Sequence, residues 1–139
     1  MNYVRIGLAA VGAFIAYMAL GASIFGAMPF LKNEFLKYPA VYRSQEGQMT
    51  HMPLGAVAML LSMVVLAVLY AKGYRGSSAF SDGAIFGALI GLFAVGAFVL
   101  HNYVNLNIGI RLTAISALAY FVEWCTVGIV IGLIYRPRT

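Results

Sequence analysis

The chain has 139 residues, of which 63% are hydrophobic and 9% charged, with a formal net charge of +5 and a mean hydropathy of +0.90. So few charges cannot cover the water-facing surface of a globular domain, and so apolar a chain is not a disordered one. A single cysteine, Cys125, excludes a disulfide scaffold; these numbers leave a polytopic membrane protein.

A helix needs about 20 mostly apolar residues to cross about 30 Å of hydrocarbon, and four segments qualify. The first, over about 6–30, holds no charge after its opening and ends at Pro29 and Lys32. It is longer than the apolar core of a signal peptide, about 7–15 residues, and is read as a true helix. A polar connector, 32–53, follows with Lys32, Glu34, Lys37, Arg43, Glu46 and His51. Residues 33–38 have the make-up of one or two amphipathic turns lying on the membrane surface, interrupted by Pro39. Residues 42–46 are a candidate contact for a ligand or partner, or else a plain connector whose long side chains reach the headgroups. The second span, 54–71, stops at Lys72-Gly73-Tyr74-Arg75-Gly76-Ser77-Ser78, a stretch that cannot continue a helix. Ser81 or Asp82 is the expected N-cap of the third span, 83–100, and 101–107 make a short turn. The fourth span, 110–135, is closed by Arg136-Pro137-Arg138. The expected architecture is an all-α, single-domain, antiparallel bundle of four transmembrane helices with both termini on one side.

Nine Lys and Arg stand against four Asp and Glu. They sit singly or in pairs between apolar runs, a pattern that sets orientation and touches anionic headgroups rather than one that binds nucleic acid. The terminal side carries Arg5, Lys72, Arg75, Arg136 and Arg138, the other side Lys32, Lys37, Arg43 and Arg111. The excess of one favours cytoplasmic termini.

Membrane helices associate through close backbone approach and interhelical hydrogen bonds. Gly83, Gly87 and Gly91 recur every fourth residue on one face of the third span, and Gly128 and Gly132 repeat that spacing in the fourth. Ala9 and Ala13, with Gly12 and Ala16, form neighbouring small faces of the first span. Such faces serve packing within the bundle, an oligomer interface or a glycine-lined path.

Thr113, Ser116, Tyr120 and Glu123, at spacings of three, four and three, form one polar stripe on the fourth helix. Apart from Arg111 at the opening of the fourth, Glu123 is the one charged residue type inside any of the four segments. It lies about 20 Å along its helix from Ile110, near the bilayer midplane. An ionised carboxylate there costs about 2.5–3.5 kcal/mol or more, so the neutral acid is the expected form unless a cation or strong donors reach it. Arg111 is roughly three turns away, too far to pair with it. Glu123 is therefore the leading candidate for a proton carrier, a cation ligand or a hydrogen-bonded structural group. Its neighbour Trp124 carries an indole N–H that needs a partner, and Cys125 at that depth reads as a small apolar residue.

His51 precedes the second span and His101 follows the third. Together they could ligate haem iron, a chlorophyll magnesium or a divalent metal, but neither lies at membrane depth, and interfacial histidines are the simpler account. Tyr3, Tyr38, Tyr42, Tyr70, Tyr74, Tyr103 and Tyr135 lie near helix ends, where an aromatic belt belongs.

Three stretches carry a resemblance: Ala40-Val41-Tyr42-Arg43, Asp82-Gly83-Ala84-Ile85-Phe86-Gly87, and Glu123 followed by Gly128, Gly132 and Ile134-Tyr135-Arg136-Pro137. In these the chain resembles a group of small four-helix bacterial membrane proteins of the domain-of-unknown-function type. The resemblance implies four helices and a bacterial inner-membrane location, and no activity. The chain departs from better-known small families. It lacks the paired cysteines of a quinone-reductase-type redox centre, and it lacks the first-helix carboxylate of small multidrug exporters.

No Ser/His/Asp set, metal-spaced cluster, P-loop or dinucleotide fingerprint is present, so an enzyme is not expected. The leading expectation is a non-catalytic accessory or structural subunit. Its partners are the lipid bilayer and either other membrane subunits or its own copies, met through the glycine faces. The alternative is a small oligomeric channel or proton-coupled transporter using Glu123. A third is a haem- or pigment-binding subunit using His101 or His51; otherwise no cofactor and no metal is expected.

Overall fold

The computed structural model describes residues 1–26, 28–74, 76 and 78–136. Helices account for nearly all of them, and no strand occurs among the described residues. Helix α1 spans Tyr3–Gly26, its last turn a wider π-helical one from Ala22. Helix α2 spans Pro29–Leu36, α3 Gln45–Gly73, α4 Ala79–Asn105 and α5 Ile110–Tyr135. All but α2 are long and apolar enough to cross a membrane. Their outward faces present Leu8 and Ile15, Leu61 and Val65, Leu89 and Phe93, and Leu118 and Leu133. Water opposes such a surface and lipid does not.

Local chemistry explains the helix ends. The Asn2, Ser44 and Ser78 side chains accept hydrogen bonds from the backbone N–H groups of Arg5, Gly47 and Ser81, capping α1, α3 and α4. The cap of α4 is thus Ser78, not the expected Ser81 or Asp82, which lie inside the first turn.

Three other expectations change. The first span ends at Gly26 rather than near residue 30. Met28 is extended, and Pro29 opens the separate helix α2, where a missing N–H costs nothing. The connector of 32–53 is largely helical, because α3 begins at Gln45 and runs through Pro53. That proline removes one backbone bond nine residues into a 29-residue helix, a loss that membrane helices tolerate. The expected turn over 101–107 is helical as far as Asn105, and α4 passes a π-helical stretch, Val95–Leu100, on the way. Arg75, Ser77, Pro137 and Arg138, used above for turns and orientation, lie outside the described residues.

Two interfaces organise the helices: α4 against α5, and α1 against α3 and α5. In the first, a Cβ on Gly83 would lie 2.6 Å from the Gly128 carbonyl oxygen, and one on Gly87 2.6 Å from that of Trp124. Gly91 faces Phe121, and a Cβ on Gly128 would overlap the Gly83 and Gly87 backbones. These contacts descend α5 as they climb α4, at backbone-to-backbone distance. On the other side Ile6, Ala9 and Ala13 of α1 close a core with Met63 and Ala67 of α3 and Val127 and Ile131 of α5. Tyr70 and Tyr135, expected in the interfacial belt, belong to this core. Their rings meet edge-on with centroids 6.0 Å apart, and Phe86 and Tyr74 extend the cluster. The Arg5 guanidinium donates to the Arg136 carbonyl, so the two ends of the described chain meet.

Packing this tight forecasts the effect of single methyl groups. Gly87→Ala or Gly128→Ala should lower stability by about 1–3 kcal/mol through overpacking. Gly55→Ala and Gly96→Ala, where an added Cβ meets nothing within 4 Å, should be neutral or stabilising by up to about 1 kcal/mol from helix propensity. Thermal unfolding of the four variants in one detergent decides it; equal melting shifts would contradict the interface.

Candidate functional site

The side of α5 turned from α4 carries the polar stripe, and α1 meets it at Glu123 and Tyr120. Thr113 and Glu123 are each 1% exposed and Ser116 8%, while Tyr120 is half-buried. The Thr113 hydroxyl is satisfied, donating to the Gly109 carbonyl at 3.2 Å. Glu123 is not: neither carboxylate oxygen has a hydrogen-bond partner among the described residues. Its surroundings are a small residue and three rings. A Cβ on Gly21 would stand 3.2 Å from Oε1, so α1 makes room for the carboxylate by having no side chain there. Tyr17 and Tyr120 lie within electrostatic range of the carboxylate, and the Tyr17 ring packs on Trp124 with centroids 5.6 Å apart. Trp124 Nε1 is also buried without a partner. The α-helical part of α1 ends at Gly21, level with Glu123, and the π-helical turn starts at the next residue. Such turns recur at functional sites.

The physical chemistry of this arrangement is specific. A carboxylate buried here with no hydrogen-bond partner among the described residues is expensive to keep charged. The neutral acid removes the charge and leaves one O–H to satisfy. A single proton therefore changes the energy of this locus more than that of any other group on the stripe.

The outer end of the stripe is closed by α2 and the connector after it. The Glu34 side chain is 6% exposed; it accepts from Lys37 Nζ at 2.6 Å and pairs with Arg111 Nε at 3.4 Å. The Tyr38 hydroxyl accepts from the Gly109 N–H at 2.9 Å, capping α5 in place of a side chain of its own. Phe35 packs between Phe25 and Tyr42, with centroids 5.8 and 4.9 Å away. The Lys37 hydrogen bond holds the Glu34 carboxyl below its ordinary value of 4.5; burial opposes this, and the Lys37 and Arg111 charges add to it. Burial, with a smaller contribution from Tyr38, pushes the Tyr42 phenol up.

Thus Thr113, Ser116, Tyr120 and Glu123 come together on one buried line, and Arg111 stands at its outer end. Gly83, Gly87, Gly91, Gly128 and Gly132 lie on the opposite interface. Arg43 is exposed, its carbonyl accepting from Gln48 Nε2. His51 and His101 are exposed as well, and His51 Nδ1 lies 2.8 Å from the Gly47 carbonyl oxygen. No group of three or more His, Cys, Asp or Glu that could hold a metal occurs among the described residues. Sequence reasoning missed Gly21, Tyr17, Tyr38 and the clasp of Glu34 on Arg111. Only the spacing of three between Glu34 and Lys37 was a local signal.

The clasp has a definite pH dependence. Because the folded-state value of Glu34 is lowered, its contribution is complete above its unfolded value and is lost as pH falls through the folded one. The melting-temperature gap between wild type and Glu34→Gln, followed from about pH 7 to about pH 3, should close toward acid. A gap that stays constant, or widens, would exclude an ionised Glu34 as the fastening.

Comparison of the chain with family models, with curated proteins and with solved structures finds no match.

Proposed function

We propose that this chain is an integral membrane protein of proton-coupled transport, with Glu123 as the group that takes up and releases the proton. One observation carries the reading: a carboxylate 1% exposed, at the middle of a membrane-length helix, with no hydrogen-bond partner for either oxygen among the described residues. A structural glutamate bonds to a neighbouring helix, and no such bond occurs among the described residues. The accessory-subunit reading calls for glycine faces turned outward, whereas Gly83, Gly87 and Gly128 are spent inside the chain. The stripe likewise faces the chain's own α1, which favours a path within one copy over a pore lined by several.

The same reading takes the four long helices as an antiparallel bundle in a bacterial inner membrane, with both termini cytoplasmic. The opposed register of α4 and α5 and the Arg5–Arg136 contact support the bundle and the pairing of the ends. The excess of Lys and Arg supports the orientation. No covalent chemistry is assigned to the chain.

The test is proton flux into liposomes carrying the purified protein, driven by an imposed membrane potential and read with a pH-sensitive dye. Glu123→Gln should cut the flux about a hundredfold, the lower range of what a positioned proton-transfer group contributes, while Glu123→Asp retains part of it. A hydrophobic carbodiimide should modify Glu123 in the wild type, faster at lower pH. Undiminished flux in Glu123→Gln would overturn the proposal.

A further inference from the structure

Glu123 is 1% exposed where it lies, and the helix at the outer end of its stripe is held by one buried leucine, Leu31, by the Phe35 ring contacts and by the polar clasp of Glu34. The pairing along α5 shows how. Gly12 meets Ile134, Gly21 meets Glu123, Glu34 meets Arg111 and Tyr38 meets Gly109. The chain thus tracks α5 in step from one end to the other, first as α1 and then, after the break, as α2 and its connector. Thr113 and Ser116 lie on α5 between Glu123, which α1 meets, and Arg111, which α2 meets. Both are buried, although they lie only one or two turns from the exposed Ile110 and Arg111.

Three features of α2 suit it to movement. At its near end the helix is broken, with Met28 extended between α1 and Pro29, and an added Cβ on Gly26 would touch nothing within 4 Å. It is short, eight residues, and buries only Leu31 and Glu34. Its fastening depends on side chains that water reaches: Lys37 is 55% and Arg111 70% exposed. Both cations already meet water and keep it on release, which leaves Glu34 as the one buried member of the clasp. The α4–α5 fastening, backbone against backbone, is of another kind.

We propose that α2 is a gate over the outer end of the polar stripe, with Glu34 as its latch on Arg111 and Lys37 and with Tyr38 on Gly109 as a second catch. Released, α2 swings about the break at Met28 and opens Thr113, Ser116 and Tyr120, and through them Glu123, to water on that side. The role given to Glu123 rests on the proton-coupled reading; the gate itself does not.

The experiment reads access alone. In full-length protein carrying Cys125→Ala, held in lipid nanodiscs so that both faces meet solvent, Ser116→Cys is labelled with a charged, membrane-impermeant maleimide. With the latch intact the reaction should be slow. Adding Glu34→Gln or Arg111→Gln should speed it about tenfold, the weight of one charge-assisted hydrogen bond. Lys72→Gln, at the far end of α3, should leave the rate unchanged. If Ser116→Cys fails to fold, Thr113→Cys takes its place. A rate indifferent to both latch variants, whether fast or slow, overturns the gate. That result would leave proton flux through Glu123 untouched, and a Glu123→Gln protein that still moves protons would leave the labelling result standing.

Discussion

Within hydrocarbon, helices gain almost nothing from hiding apolar surface, and what joins them is the distance to which their backbones can approach. In this chain that distance is set by α4 and α5, where glycine meets glycine and carbonyl oxygens stand where methyl groups would otherwise be. The rest of the arrangement follows. Gly132 lies nine residues, two and a half turns, beyond Glu123, so a glycine face fixed on α4 turns the carboxylate to the opposite side. That side is where α1 packs, and α1 presents glycine at the level where the carboxylate needs room.

The two halves of α5 were not equally readable. Glycines every fourth residue and polar residues at spacings of three and four are helix-period signals, so both faces of α5 and the buried place of Glu123 could be inferred from a line of letters. The partners of those faces could not. On α1 the small residues Ala9 and Ala13 mark a face, and Tyr17 and Gly21 continue it at the same spacing, but nothing in the letters says that it meets Glu123. Pro53 and the charges around it read as a break, because proline lowers helix propensity locally, while the long apolar run after it carries the helix across. Tyr70 and Tyr135 have the composition of an interfacial belt and instead meet edge to face inside the bundle, since pairing of two rings depends on which helices become neighbours. Glu34 and Arg111 are 77 positions apart in sequence; nothing periodic links them, and only the return of α5 alongside α1 and α2 brings them together.

The two buried glutamates are handled in opposite ways. Glu34, at the outer end of the stripe, is held charged by Lys37 and Arg111 and does mechanical work as a fastening. Glu123, midway along α5, has no hydrogen-bond partner among the described residues, and Gly21, Tyr17 and Tyr120 lie around it. A carboxylate kept apart from every partner has its charge set by whether a proton is present, and so by whether water can deliver one. Access to the stripe is then the quantity that matters. It is controlled where the protein is loosest, at a short helix with two buried side chains, rather than where it is tightest. A rigid α4–α5 pair carrying the protonatable group, and a lightly fastened α2 over the end of its stripe, divide those two tasks between different kinds of contact.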